Sequence, residues 1–362
     1  MLFLLAVAIG VVAVLLVVRP AAEDALVAYV EEHDTLLRQD FVRSMIASRV
    51  SGELDLAKDV RGETRPFAIA RGETAGQIAE RLEHEGIVRS ALAFEFVLYE
   101  NAKENALQSG TYQVSAGFTP RDLARLFEKA PGDQVVLRLI EGWRLTEIAG
   151  AVEKAFPKIT KDAFIAAAVV GERKNGVLAG LDAKTSLEGF LFPDTYFLKP
   201  EATAVQIVDI LLAEFEQRAG ATLRTAAAKR KISVYDLVKL ASVVEREAKD
   251  RTESPVIAGV YQNRLDINMK LDADPTIQYA KGNWGELLLD DLKLDSPYNT
   301  YLNPGLPPTP ICNPGQAALD GAANPASHDY IFFVAKGDGT GQHVFAKTLE
   351  EQEANRVKYG NR

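Results

Sequence analysis

The chain has 362 residues, of which 47% are hydrophobic and 25% charged, so its composition is that of a folded protein with two or three domains. The formal net charge of −9, with no basic cluster beyond Lys229-Arg230-Lys231, argues against a nucleic-acid partner. The single cysteine, Cys312, excludes an intramolecular disulfide and a cysteine-based metal site.

The first segment, Leu2 to Val18, contains only apolar residues and glycine and ends at Arg19-Pro20. Its length is at the short end of what spans a bilayer. A cleaved signal peptide is the alternative, but the basic first region and the clean cleavage site of such a peptide are missing. We therefore expect residues 1–19 to form a single transmembrane anchor.

The next region, residues 20–65, is expected to be a stalk helix followed by a linker. Apolar residues recur at helical spacing from Glu23 to about Val50. Residues 51–65 are polar and predict the linker.

Residues 66–132 predict a small α+β module. A strand at residues 67–70 is followed by a turn and by a helix with Thr74 as candidate N-cap. The stretch from Arg71 to Ala79 resembles the opening of a LysM-type glycan-binding module, although a generic strand–turn–helix unit has a similar pattern. The same order recurs at Val135 to Ala149, either by duplication or by chance.

A helix that carries a carboxylate in its apolar stripe is the main catalytic candidate. Ser233 is its predicted N-cap, and Glu245 lies within roughly a quarter turn of the apolar face, whereas Glu247 lies on the far flank. Partial desolvation raises the pKa of a glutamate and lets it act as a general acid near neutral pH. The alternative is an ordinary solvated Glu-Arg-Glu patch.

The segment Ser186 to Tyr196 is aromatic and rich in turn residues, and it contains Glu188 and Asp194. Aromatic rings beside carboxylates suit a carbohydrate groove, although a core strand followed by a turn would have the same residues. No phosphate-binding loop, no His-Glu-x-x-His and no Gly-x-Ser-x-Gly is present in the sequence.

The sequence resembles the endolytic murein transglycosylases, the YceG-like family, in a series of ordered motifs. They include Leu240 to Glu247, Leu187 to Tyr196, Asn263-Arg264-Leu265, Asp274-Pro275-Thr276, Ser296 to Tyr301, Gly305 to Pro308, Asp329 to Val334, and Gly341-x-His343-x-Phe345. The resemblance runs from about Phe67 to Thr348. Two departures are Thr309, where the family often has glycine, and residues 348–352, where a Glu-His pair is common in the family.

The resemblance implies an α+β fold, with a YceG-like catalytic domain at residues 133–362 after the LysM-like module. It implies a single-pass protein of the cytoplasmic (inner) membrane with its bulk on the extracytoplasmic side. The implied activity is cleavage of the β-1,4 bond between N-acetylmuramic acid and N-acetylglucosamine in nascent peptidoglycan strands. A peptidoglycan synthase is an implied partner, and ending glycan elongation an implied role.

The resemblance also assigns roles to residues. Glu245 matches the catalytic glutamate, and no metal or organic cofactor is required. The positions expected around the sugar groove, and so to bind substrate, are Glu188, Asn263, Asp274, Thr276, Tyr298, Asn299 and Thr300.

Two other functions remain open from the sequence. The first is a glycoside hydrolase that uses Glu245 and Glu188 and leaves reducing ends. The second is a non-catalytic scaffold that binds peptidoglycan through its LysM-like part.

Overall fold

The structure, a computed structural model, describes residues 19–59 and 62–359. The chain divides into two compact units, one that ends at Val135 and one that begins at Val136. Apart from residue 19, the predicted transmembrane anchor lies outside the described residues. Within residues 19–59 and 62–359, no helix is both long enough and apolar enough to cross a membrane.

The first unit combines five helices and two strands within its described part. In chain order they are α1 (Arg19–Glu32), α2 (Asp40–Leu54), β1 (Thr64–Ile69), α3 (Ala75–His84), α4 (Ala91–Glu100), β2 (Gly110–Ser115) and α5 (Pro120–Phe127). A 3-10 turn, Asp34–Arg38, connects α1 to α2.

The prediction of one continuous stalk helix is wrong, because the chain leaves helical geometry at His33 and turns back. Arg49 in α2 forms an ion pair with Asp24 in α1 at 3.1 Å. Helix α2 buries an apolar stripe that includes Val42 and Ile46 and packs against α4. The apolar spacing stays helical on both sides of the turn, so spacing alone could not reveal it.

Strands β1 and β2 pair antiparallel, with Phe67 opposite Tyr112. Their rings pack around Phe127 of α5, at centroid distances of 5.9 Å and 4.9 Å. The predicted N-cap is confirmed, since Thr74 accepts a hydrogen bond from Gln77 N–H at 3.3 Å. The likeness of this unit to a LysM module stays a prediction.

The second unit contains nine helices and four strands among the described residues. They are β3 (Val135–Arg138), α6 (Leu145–Ala155), α7 (Lys161–Ala167), β4 (Thr195–Leu198), α8 (Ala204–Phe215), α9 (Ala221–Arg230), α10 (Val234–Glu247), α11 (Ser254–Asp266), α12 (Asp274–Ala280), α13 (Gln316–Ala323), β5 (Phe332–Ala335), β6 (His343–Ala346) and α14 (Leu349–Tyr359). Strand β3 pairs with β4, and β5 pairs with β6.

Helices α10, α11 and α13 pack on one another and form the core beneath the candidate site. The apolar face predicted for α10 is confirmed, because Leu237, Ala241 and Val244 are fully buried. The β5–β6 hairpin and α14 pack together beside α11. The fold is thus the mixed α+β type that the sequence predicted.

Candidate active site

Helix α10 carries two partly buried carboxylic acids near its C-terminus. It begins after Ser233, whose hydroxyl accepts the Asp236 N–H at 3.0 Å, and it ends at Glu247. Glu245 and Glu247 are two positions apart, so their side chains leave the helix roughly 200° apart around its axis. Each therefore belongs to a separate cluster.

Glu247 lines a cavity of about 330 Å³. Arg264, Asp274 and Tyr301, from three separate sequence motifs, line the same cavity, and so do Tyr261 and Gln352. Acidic, aromatic and amide side chains around a cleft are typical of a carbohydrate site. This cavity therefore brings together residues from several of the predicted motifs.

The carboxyl of Glu247 has an unusual affinity for a proton. Burial raises its pKa to about 7, the negative charge of Asp274 adds to the rise, and the Tyr261 hydrogen bond and the Arg264 charge oppose it. The Tyr261 hydroxyl donates to Oε1 of Glu247 at 2.9 Å. Near neutral pH the group can both give and take a proton, as a general acid and base must.

Asp274 is the first residue of α12, and it is exposed. The Tyr301 hydroxyl donates to Oδ1 of Asp274 at 2.7 Å. Arg264 is buried and donates to the carbonyl oxygens of Ile331 and Leu271, both at 2.6 Å. Tyr301 and Arg264 thus donate to the protein, while the exposed Asp274 carboxylate is accessible to a ligand.

Other predicted sugar contacts support the walls of this cavity. Thr276 is fully buried, and its hydroxyl bonds with the Ala273 carbonyl at 2.7 Å and the Thr300 hydroxyl at 3.0 Å. Thr300 also accepts the Ala273 N–H at 3.1 Å. These bonds hold the turn that carries Asp274. For these threonines, direct contact with a sugar would require this turn to open.

Asn263 and Asn299 have similar supporting contacts. Asn263 donates to the carbonyl oxygens of His328 at 2.8 Å and Tyr330 at 2.9 Å, in the segment before β5. Asn299 is fully buried and donates to the carbonyl of Leu294 at 2.8 Å. Their side-chain amides therefore position main chain near the cavity, and their contact with sugar stays a prediction.

Glu188 lies in a different cluster, where its carboxyl accepts a hydrogen bond from the first turn of α6. Its Oε1 accepts the Leu145 N–H at 2.8 Å and the Asn313 amide at 2.9 Å, and its Oε2 accepts the Tyr279 hydroxyl at 3.4 Å. Burial raises the pKa of Glu188 to about 8, against the opposing effect of the Leu145 N–H. Tyr298 packs its ring on Tyr279, with centroids 4.9 Å apart.

Sequence reasoning missed Asn313, which is fully buried and connects three segments. Its Oδ1 accepts the N–H groups of Gly189 at 2.9 Å and Leu191 at 3.0 Å, and its amide donates to the Trp143 carbonyl at 3.0 Å and to Glu188. The only sequence signal was the turn-like Asn313-Pro314-Gly315. Asn313 therefore orders the aromatic segment from a distant part of the chain.

Glu245 faces the N-terminus of α13. Its Oε2 accepts the Gly315 N–H at 3.0 Å, and its Oε1 lies 3.9 Å from the guanidinium of Arg251, which also pairs with Glu141. Burial raises the pKa of Glu245 to about 7, and the Gly315 N–H opposes the rise. The carboxyl is desolvated, as predicted, but the cavity described above is lined by Glu247 and not by Glu245.

Residues 67–358 match the family model of the YceG-like family. The chain belongs to the YceG-like family. It is 33% identical over 308 residues to the endolytic murein transglycosylase of Bacillus subtilis, covering 80% of this chain and 83% of that protein. It is 30% identical to the endolytic murein transglycosylase of Streptococcus pneumoniae, covering 81% of this chain and 58% of that protein.

A crystal structure of a YceG-like protein from Listeria monocytogenes has the same fold. The TM-score is 0.55 at 31% sequence identity, and the match covers 81% of this chain and 99% of that chain. Membership of the YceG-like family, predicted from the ordered motifs, is thereby confirmed.

Several of the YceG-like motifs lie at one cavity. Arg264, Asp274, Tyr301 and Phe333 come from four of the motifs that carried the resemblance, and all of them line the cavity of Glu247. The two departures from the family pattern, Thr309 and residues 348–352, also make defined contacts. Thr309 forms a hydroxyl pair with Tyr298 at 2.8 Å, and Gln352 lies on the cavity wall. Across residues 19–59 and 62–359, no group of three or more His, Cys, Asp or Glu side chains is arranged to hold a metal ion.

Proposed function

We propose that this chain is an endolytic peptidoglycan lytic transglycosylase. It cuts the β-1,4 bond between N-acetylmuramic acid and N-acetylglucosamine within glycan strands and leaves 1,6-anhydro-muramic acid ends. Relatives named endolytic murein transglycosylase support the reaction class. The observation that carries the chemistry is the carboxyl of Glu247, with a pKa of about 7, in a cavity lined by residues from several family motifs.

The acid and base of the reaction is assigned to Glu247 rather than to Glu245, the residue that the sequence favoured. Both carboxyls are desolvated. Glu245 is held by a main-chain N–H and lies near Arg251, while Glu247 lines the cavity with Asp274 and Tyr301. A proton donor must reach the glycosidic oxygen, so access to the cavity decides between them.

The reaction needs one carboxyl acting twice. Protonated Glu247 donates its proton to the leaving glycosidic oxygen as the C1–O bond breaks, and C1 of the muramic acid gains oxocarbenium character. The Asp274 carboxylate, which lines the same cavity, stabilises this positive charge. Glu247, now ionised, accepts the proton of the C6 hydroxyl, whose oxygen attacks C1 of the same sugar. The intramolecular attack gains from proximity and consumes no water.

The contacts of Glu188 argue against the two-carboxylate hydrolase. Glu188 is 5% exposed, and both of its oxygens accept hydrogen bonds from the protein. A nucleophile or a base for water needs a free oxygen that faces the sugar. A hydrolase built on this site would have to use Asp274 or Asp272 instead.

The wider organisation is part of the same proposal. Residues 1–19 anchor the chain in the cytoplasmic membrane, and the bulk lies on the extracytoplasmic side, where peptidoglycan is assembled. Residues 66–132 serve as a glycan-binding module, and residues 133–362 form the catalytic domain. The enzyme works beside a peptidoglycan synthase and ends glycan elongation. The apolar segment Leu2 to Val18 and the family membership support this arrangement.

The deciding experiment is mass spectrometry of uncrosslinked glycan strands incubated with the full chain in detergent. Wild type is compared with Glu247→Gln, Glu245→Gln and Glu188→Gln, and thermal unfolding checks that each variant is folded. Internal cuts that end in 1,6-anhydro-muramic acid, lost only in Glu247→Gln, support the proposal. Selective loss in Glu245→Gln would return the catalytic role to that residue. Reducing ends would point to hydrolysis, and retained binding without cleavage by wild type would favour a scaffold.

A further inference from the structure

Gln352, which lines the cavity that contains Glu247, carries an unpaired acceptor. It belongs to α14, it is 5% exposed, and it lines the cavity. Its Nε2 donates to the carbonyl oxygen of Phe333 at 2.9 Å. Its Oε1 is buried and has no hydrogen-bond partner in the part of the chain that the structure describes.

The orientation of this amide follows from its one bond. Rotating the amide by 180° would bring Oε1 against the Phe333 carbonyl, and two acceptors would then face each other. The unpaired atom is therefore the oxygen. A buried acceptor without a donor costs free energy, and a native protein keeps such a group mainly where a ligand or water supplies the donor.

Several donors of the cavity wall already have acceptors in the protein. The Tyr261 hydroxyl donates to Glu247, the Tyr301 hydroxyl donates to Asp274, and Arg264 donates to main-chain carbonyls. Arg356, one turn further along α14, pairs with Glu353 at 3.1 Å. A molecule that enters the cavity can therefore supply the donor for Gln352. Phe333 and Leu349, which also line the cavity, place apolar surface beside the same amide.

We propose that Gln352 contacts the substrate and accepts a hydrogen bond from the acetamido N–H of the sugar bound beside Glu247. An acetamido group carries an N–H that can only donate and a methyl group that needs apolar surroundings. Gln352 supplies the acceptor, and Phe333 and Leu349 supply the surroundings. Gln352 thus selects N-acetylated sugars. This inference rests on the proposed function.

The test compares Gln352→Leu with wild type on two substrates: N-acetylated glycan strands and analogues in which an acetoxy group, which keeps the methyl group but has no N–H, replaces each acetamido group. We expect the variant to lose about tenfold to a hundredfold in kcat/KM on N-acetylated strands, the range for one lost hydrogen bond. On the acetoxy analogues the two proteins should differ by less than threefold. Gln316→Leu, a glutamine-to-leucine change in α13, is the matched control and should match wild type on both substrates.

A second variant tests the acceptor itself. In Gln352→His, a neutral imidazole nitrogen can accept the same bond, whereas the protonated ring cannot. Its kcat/KM relative to wild type on N-acetylated strands should be near one at pH 8 and fall at least tenfold at pH 5.5. A ratio that does not change with pH would contradict the proposal, and so would equal losses of Gln352→Leu on both substrates.

Binding separates this inference from the proposed reaction. Isothermal titration measures the affinity of Glu247→Gln and of Glu247→Gln/Gln352→Leu for N-acetylated strands and for the acetoxy analogues. We expect the second change to weaken binding at least tenfold for N-acetylated strands alone. This readout needs no turnover, so a failure of the lytic mechanism leaves it interpretable. Equal affinities of the two variants would overturn the role of Gln352.

Discussion

Tyr261 of α11 donates its hydroxyl hydrogen bond to Oε1 of Glu247 at the end of α10, over 2.9 Å. Tyr261 is 1% exposed, so its hydroxyl is largely shielded from water. It favours the ionised carboxyl, while burial favours the protonated one. The balance holds the pKa of Glu247 at about 7, where proton donation and proton removal are both accessible.

Tyr261→Phe removes the hydrogen bond that stabilises the Glu247 carboxylate. The pKa of Glu247 should rise further, which moves the descending limb of kcat/KM against pH upward by about one unit. The plateau should fall about tenfold, because the carboxylate formed in the reaction loses a donor. The measurement is a pH–rate profile from pH 5 to 9.

Tyr196→Phe is the control for this change, since Tyr196 is also buried and donates to a main-chain carbonyl, that of Phe192, at 2.6 Å. The descending limb of its pH–rate profile should lie at the same pH as in wild type. If both variants leave the limb unmoved, Tyr261 does not tune the catalytic group.

Asp274→Asn removes a negative charge that raises the pKa of Glu247. The descending limb should therefore move downward, by about half a pH unit for a screened charge at the edge of a cavity. The maximal rate should fall as well, because the positive charge at C1 loses a stabilising carboxylate. Asp290→Asn is the matched control, since Asp290 has a 93% exposed side chain paired with Lys293. An upward shift in Asp274→Asn would contradict this electrostatic account.

Asn313→Ala should destabilise the second unit strongly. The change leaves the N–H groups of Gly189 and Leu191 and one hydrogen bond of Glu188 without a partner in a buried place. The expected loss is about 3 kcal/mol or more in the free energy of unfolding. Urea unfolding at pH 7 measures it.

Asn303→Ala is the comparison, because Asn303 also donates to two carbonyls but is exposed, so water can replace its bonds. Its loss should be less than about 1 kcal/mol. Similar urea-unfolding midpoints for Asn313→Ala and Asn303→Ala would mean that burial does not make the Asn313 hydrogen bonds more stabilising than the exposed ones of Asn303.

Glu95→Gln should stabilise the first unit at alkaline pH. Glu95 is 7% exposed, one of its oxygens has no hydrogen-bond partner, and burial with the nearby charges of Asp34 and Glu80 raises its pKa to about 7. A pKa raised by folding means that the protonated group stabilises the fold. That contribution is complete below the unfolded value, near 4.5, and is lost as the pH rises through 7.

The neutral amide should therefore gain stability over wild type between pH 5 and pH 8, by an amount on the order of 3 kcal/mol. Thermal unfolding at both pH values measures the difference. Glu63→Gln, at an exposed position, is the control, and it should change the unfolding temperature only slightly, by the same amount at pH 5 and at pH 8. A constant offset between Glu95→Gln and wild type would show that Glu95 does not titrate in this range.

Local signals in the sequence located many of the elements. Ser233 and Thr74 cap their helices as predicted, and Asp274 opens a helix. These signals succeed because a cap satisfies main-chain N–H groups of the first turn, within a few residues. The turn at His33 escaped notice because helical spacing continues on both sides of it.

The sequence could not decide which of Glu245 and Glu247 lines the cavity. Hydrophobic periodicity placed Glu245 nearer the apolar face, and the structure does bury it. Burial alone, however, does not make a catalytic group. The Glu245 carboxyl accepts a hydrogen bond from the Gly315 N–H. The Glu247 carboxyl accepts one from the Tyr261 hydroxyl and lines the cavity. Periodicity reports how far a side chain is from water, but not which distant residues surround it.

By itself, the sequence determined the α+β class, the family and the helix that carries the candidate acids, because these depend on local patterns and ordered motifs. Only the tertiary structure decided which of those acids lines the cavity. It also showed that Glu188 accepts a main-chain N–H at the start of α6, that Asn313 bonds to Glu188, and that the Gln352 oxygen is buried without a partner. The physical reason is that desolvation and hydrogen bonding of a buried group come from residues far along the chain. Asn313, for example, reaches Glu188 across 125 positions of sequence.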